Sequence, residues 1–201
     1  MKVLKQVGLS VGAFVLFTLL CGVLYTGVVT GIAQAVFPYQ ANGSIIETDD
    51  GEHYAMLLGQ TFDDDDHMWG RVQNYNVDTF VNEEGEAVAW AGATNLSPAS
   101  DEFDAMVAER VEAIRAAHPE HANDPIPSDL VTCSGSGLDP HISPAAAEFQ
   151  VERLVKNTGK SEDEIRDIID KCTESEQFGI LGEPVVNVLK VNLMLDGKIS
   201  E

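Results

Sequence analysis

A chain of 201 residues with 33 acidic against 12 basic side chains has a formal charge of −21. That balance opposes binding to nucleic acid or to anionic lipid head groups. The charge is also segregated: Lys2 and Lys5 are the only charged residues before Glu47, so the total divides into +2 near the amino terminus and −23 from Glu47 onward.

The run from Val7 to Val36 is apolar or small throughout. About 20 such residues in a helix cross a hydrocarbon core of roughly 30 Å, so residues 7–36 are expected to form a transmembrane helix. Residues 1–6 are then a short cytoplasmic amino terminus, because Lys2 and Lys5 precede the span, and residues 37–201 form one acidic extracytoplasmic domain. A cleaved signal peptide competes with this reading, since Ala33-Gln34-Ala35 has the small-x-small form of a cleavage site. The apolar run is, however, about twice the usual 7–15-residue length. Gly8 and Gly12, Gly27 and Gly31, and the row Thr18, Gly22, Thr26 and Thr30 repeat at four-residue spacing. Such rows let another helix approach closely, although glycine is common in membrane helices generally.

Phe37-Pro38 ends the helix. Short strands are expected at Ser44–Ile46 and Tyr54–Gly59, joined by an acidic turn. Asp63–Asp66 followed by His67 invites a metal reading, but it lacks the alternate spacing of a calcium loop and the donor set of a zinc site, so it reads as a solvated acidic loop with Phe62 and Trp69 plugged onto the core. Residues 74–94 read as an irregular loop. A helix capped by Ser97 or Ser100 runs to Ala117. A second runs from Ser143-Pro144 to Asn157 with a stop at Gly159, and a third follows the capping box Ser161–Glu164 to about Thr173. Val185–Leu195 alternates like a strand. The order predicts an α+β domain with helices on a small sheet.

The stretch from Asp129 to Pro144 concentrates polar chemistry. Ser136, Asp139 and His141 form a candidate hydrolase set, although Ser134-Gly135-Ser136-Gly137 is not a nucleophile elbow. The same glycine-rich turn is a candidate anion cradle without the lysine-bearing nucleotide pattern. A tight loop feeding a capped helix is the third reading. Cys133 and Cys172 could pair in an oxidising compartment.

Several segments together carry a family resemblance: Val29–Gln34 leading to Phe37-Pro38, Gln40–Ser44, Leu58-Gly59-Gln60, Trp69-Gly70-Arg71, Thr94–Pro98, Asp129–Ala147, and Gly182-Glu183-Pro184 with Val186–Leu189. With them the chain resembles KdpC, the C subunit of the Kdp potassium-transporting ATPase, over nearly its full length. The acidic tract after Asp63 and Gly92-Ala93-Thr94 depart from the family pattern. The resemblance implies a non-catalytic accessory subunit assembled with a channel-like potassium-translocating subunit, a P-type ATPase subunit and a small helical subunit. It also implies a role in raising the ATP affinity of the ATPase subunit. No tightly bound cofactor is expected and ATP enters by family resemblance, with Ser134, Gly135, Ser136, Gly137, Asp139 and His141 as candidate nucleotide or subunit contacts. An extracytoplasmic domain would stand away from cytoplasmic ATP. Its acidity would instead concentrate K⁺ near the channel-like subunit's entrance.

Overall fold

A computed structural model describes residues 2–200 apart from 49, 82–84 and 86. The chain divides into two compact units at Ile45 and Ile46.

The first unit is dominated by one helix, Lys2–Val36, long and apolar enough to cross a membrane. It begins five residues before the apolar run. Its middle, Thr18–Tyr25, is π-helical, and the Thr26 hydroxyl donates to the Cys21 carbonyl at 2.9 Å, five residues back. A four-residue step falls just short of a π turn and just beyond an α turn, so Thr18, Gly22, Thr26 and Thr30 keep one row across the change. The helix stops at Val36 because Phe37, preceding Pro38, leaves helical geometry at φ −131°, ψ 53°. A one-turn helix, Pro38–Ala41, follows.

The second unit combines helices with three small sheets. Strands β1 (Ile45–Glu47) and β2 (His53–Ala55) form a ribbon whose turn is clamped by Lys198, its Nζ 3.0 Å from Glu52, 3.4 Å from Asp50 and 2.9 Å from the Tyr54 hydroxyl. The second strand, expected over Tyr54–Gly59, is His53–Ala55, and the Leu58 amide donating to the Ala55 carbonyl at 3.1 Å turns the chain there. The loop expected over residues 74–94 instead holds two strands, β3 (Tyr75–Val81) pairing antiparallel with β4 (Ala87–Ala91), with a register shift between Asn76 and Phe80. Tyr75, Val77 and Thr79 alternate there with Asn76 and Asp78, a strand period hidden inside a polar composition. The third sheet is antiparallel, in the order β5 (His141–Ile142), β7 (Val185–Asn187), β6 (Thr173–Glu174).

The caps follow the expected chemistry. Ser100 caps Asp101–Ala117, Ser143 caps Pro144–Glu148, and Ser161 and Glu164 complete a reciprocal capping box for Glu162–Lys171. The helix expected from Ser143 to Asn157 is broken at Phe149-Gln150 and resumes as Val151–Thr158, closing on Gly159 at φ +72°. The strand expected over Val185–Leu195 is strand for three residues and then helix, Val188–Leu195. Asn187 makes the change by accepting the Lys190 amide at 2.9 Å as an N-cap. That helix is buried nearly all round, so its sequence lacks a polar face that would mark a helical period. The main core gathers fully buried side chains from the helices, the third sheet and the loops between them, among them Met68, Ile114, Leu130, Leu154, Ile165 and Val186, and a smaller cluster of Met56, Leu189 and Leu193 packs under the β1–β2 ribbon. Each is worth roughly 1.5–3 kcal/mol of burial.

Candidate functional site

The Asp129–Pro144 stretch lines one side of a cleft of about 260 Å³ at the end of the β5–β7–β6 sheet, walled by Arg71, Asp129, Asp139, His141, Ser143 and Glu183. Pairing of β5 with β7 sets His141 opposite Asn187. The Asp139 carboxylate accepts the His141 amide at 3.0 Å and pairs with Arg71 Nε at 3.1 Å, while that Nε also donates to the His141 carbonyl at 3.2 Å. Burial pushes Asp129 upward, but hydrogen bonds from the Ser143 amide and hydroxyl outweigh it and hold the carboxyl below the usual carboxylate range. His141 Nε2 is buried without a hydrogen-bond partner, and Nδ1 lies 3.7 Å from Asp139, beyond hydrogen-bond reach.

The serine-glycine turn is closed on itself. Ser134 Oγ lies 3.1 Å from Ser136 Oγ and accepts the Gly137 amide at 3.0 Å, while Ser136 Oγ accepts the Leu138 amide at 3.2 Å. Gly137, at φ +74°, has space for nothing larger: a Cβ there would stand 2.4 Å from the Gly92 carbonyl and 2.6 Å from that of Asn74. Its own carbonyl accepts the Asn74 amide at 2.9 Å, and the next residue's carbonyl accepts the Gly59 amide at 2.7 Å. Thus Gly59, Asn74 and Gly92 dock onto the turn through main chain.

Ser136 and His141 therefore do not form a nucleophile–base pair, and Asp139 is committed to Arg71 rather than to the imidazole. Two amides that a phosphate cradle would use already bind serine hydroxyls. Arg71 is offset by Asp139, with Asp129 and Glu183 beside it, so the cleft offers a polyphosphate little attraction. Elsewhere the structure brings ligand atoms of Asp64, Asp66 and His67 within 4.8 Å of one another, with both ring nitrogens of His67 already facing carboxylates, Asp64 and Asp66 on one side and Asp196 on the other.

Sequence reasoning missed the arrangement that holds the acidic loop. Arg153, only 3% exposed, donates to the carbonyls of Asp64, Asp65 and His67, to Gln150 Oε1 and to His118 Nε2. Two guanidinium groups approach the Trp69 ring, Arg110 at 5.1 Å and Arg153 at 5.0 Å from its centroid. The signal was a lone arginine on the apolar face of Val151–Val155. Trp69 is buried in the core cluster and Phe62 packs against it, as expected of plugs for that loop. Cys133 and Cys172 are both free thiols, and burial pushes Cys172 up to about 11. Along the membrane-length helix, Gly8, Gly12, Gly22, Gly27 and Gly31 all have open space where a side chain would begin.

Comparison with known proteins bears on the whole chain. The family described as K⁺-transporting ATPase, c chain (KdpC), matches residues 8–197. A potassium-transporting ATPase KdpC subunit from Clostridium botulinum (strain Eklund 17B / Type B) is 53% identical over 184 residues, covering 92% of each chain. One from Clostridium perfringens is 48% identical over 201 residues and the full length of both. One from Sorangium cellulosum is 48% identical over 89% of this chain and 90% of its own. The chain belongs to the KdpC family of potassium-transporting ATPase subunits.

Proposed function

We propose that this KdpC subunit is a non-catalytic member of an ATP-driven potassium uptake complex, anchored by Lys2–Val36 with its acidic unit on the outer side. Its assembly partners are a channel-like potassium-translocating subunit, a P-type ATPase subunit and a small helical subunit. Through them it supports ATP-coupled import and the ATPase subunit's affinity for ATP. The observation that carries the assembly is the match to the KdpC family over residues 8–197, and the charge step along the chain, two lysines before the span and a net −23 after it, supports the orientation. The engagement of Ser134 and Ser136 with each other and with the turn amides, and of Asp139 with Arg71, supports a scaffold role for the turn over hydrolysis or direct nucleotide binding.

Purification of the tagged chain in mild detergent from potassium-starved cells should bring down a channel-like protein and a P-type ATPase in fixed ratio. A protein that emerges alone contradicts the assembly. Topology is tested by an Ala122→Cys variant, whose position is exposed: a membrane-impermeant maleimide should label it in intact cells. Labelling only after lysis places the acidic unit inside.

A further inference from the structure

The turn between β6 and β7 carries the most exposed large apolar side chains among the described residues. Phe178 is 91% exposed and Ile180 80%, more than any such residue of the membrane-length helix. Single exposed apolar residues are ordinary, but two at the tip of one turn on so acidic a unit are not. The turn is built, too. Gln177 and Leu181 form an antiparallel bridge with amide-to-carbonyl bonds of 2.8 and 3.0 Å, and the Gly179 amide donates to the Glu176 carbonyl at 3.1 Å. Phe178 is held at φ +57° and Gly179 at +71°, a left-handed conformation that bulky residues rarely adopt. The chain leaves the tip through Glu183-Pro184 into β7, the middle strand of its sheet, so the tip rises from an ordered base.

We propose that the Gln177–Gly182 turn is a docking plug, with Phe178 and Ile180 filling an apolar socket on another subunit of the potassium-transporting complex. The socket has a basic rim, because Glu174, Glu176 and Glu183 flank the tip. A few large apolar anchors in desolvated pockets carry most of the energy of a protein interface, which is the arrangement this tip offers. The same glutamates, on a unit of charge −23, oppose insertion of the tip into anionic lipid. This inference rests on the assembly reading above.

The test uses the full chain co-expressed with the other subunits of the complex, with photoreactive benzoylphenylalanine at position 178. Irradiation should yield an adduct with another subunit, identified by mass spectrometry. A lipid adduct, or none while the complex still co-purifies, overturns the plug. Independently, Phe178→Ser with Ile180→Ser should cut the co-purified partner subunits at least tenfold at an unchanged unfolding midpoint, and undiminished recovery overturns the proposal. If the unaltered chain itself recovers no partner, the assembly reading falls and the plug with it.

Discussion

Arg153 and His118 show how one buried pair can fix a loop. Arginine has only donors, so its Nε–H bond of 3.0 Å to His118 Nε2 makes that nitrogen the acceptor, and the ring proton sits on Nδ1, donating to the Ile114 carbonyl at 2.8 Å. Burial then pushes the His118 pKa down to about 4, helped by the neighbouring Arg153 and opposed by the Ile114 carbonyl and Glu120. The folded value lies below the unfolded one of about 6.5, so this contribution to stability is complete above pH 6.5 and is lost as the pH falls toward 4. The loss amounts to about 3 kcal/mol. Urea unfolding of the detergent-solubilised chain between pH 7 and 4 should show that fall, and a His118→Phe variant should show a flatter profile. Burial also lowers Arg153, to about 10, which leaves it charged at neutral pH. Arg153→Met should cost about 3–5 kcal/mol, because the carbonyls of Asp64, Asp65 and His67 lose a buried charged donor. Arg153→Lys should recover little of it, since an ammonium cannot reproduce the planar fork. A shift in denaturation midpoint of under about 1 kcal/mol for Arg153→Met would remove this account of the loop.

At the level of elements, the Ser134–Gly137 turn separates two kinds of glycine. Gly135 has open space where a Cβ would lie, whereas at Gly137 a Cβ meets main-chain carbonyls that cannot step aside without breaking the Asn74 and Gly92 contacts. Gly137→Ala should therefore cost about 2 kcal/mol or more and Gly135→Ala less than about 0.5, read from thermal or denaturant unfolding. Equal effects would show that the turn is not clamped. The fold was legible wherever one residue's chemistry decides an element: serine caps at 100, 143 and 161, the stop at Gly159 and the exit at Phe37-Pro38. It was not legible where period and composition compete. Val185–Leu195 is apolar on both strand faces and nearly all helix faces, and Asn187 resolves the ambiguity through a cap visible only in three dimensions. Within the site, Asp139 and His141 were recognisable as chemistry-bearing, but the partner that commits Asp139, Arg71, lies 68 residues away. Such a pairing leaves no local pattern.

For the whole molecule, the question is what an acidic surface contributes to moving K⁺. Arg153 grips the loop by the carbonyls of Asp64, Asp65 and His67, which leaves the carboxylates outward, with side-chain exposure of 67% at Asp64 and 59% at Asp66. A loop held by its main chain keeps its charge in solvent, where it adds to a field reaching about 8–10 Å at physiological ionic strength. If the acidic unit stands beside the entry path for K⁺, that field raises the local cation concentration before any site is reached. Replacing Asp63–Asp66 with asparagine keeps size and main-chain bonding while removing four charges. The K⁺ concentration for half-maximal transport should then rise by about two- to threefold at low ionic strength, as expected of a surface potential changed by about one kT. The difference should vanish in about 1 M choline chloride, where the screening length is about 3 Å. An unchanged half-maximal concentration at low salt would confine the tract to its structural part, and a difference that survives high salt would point to a direct contact rather than a field.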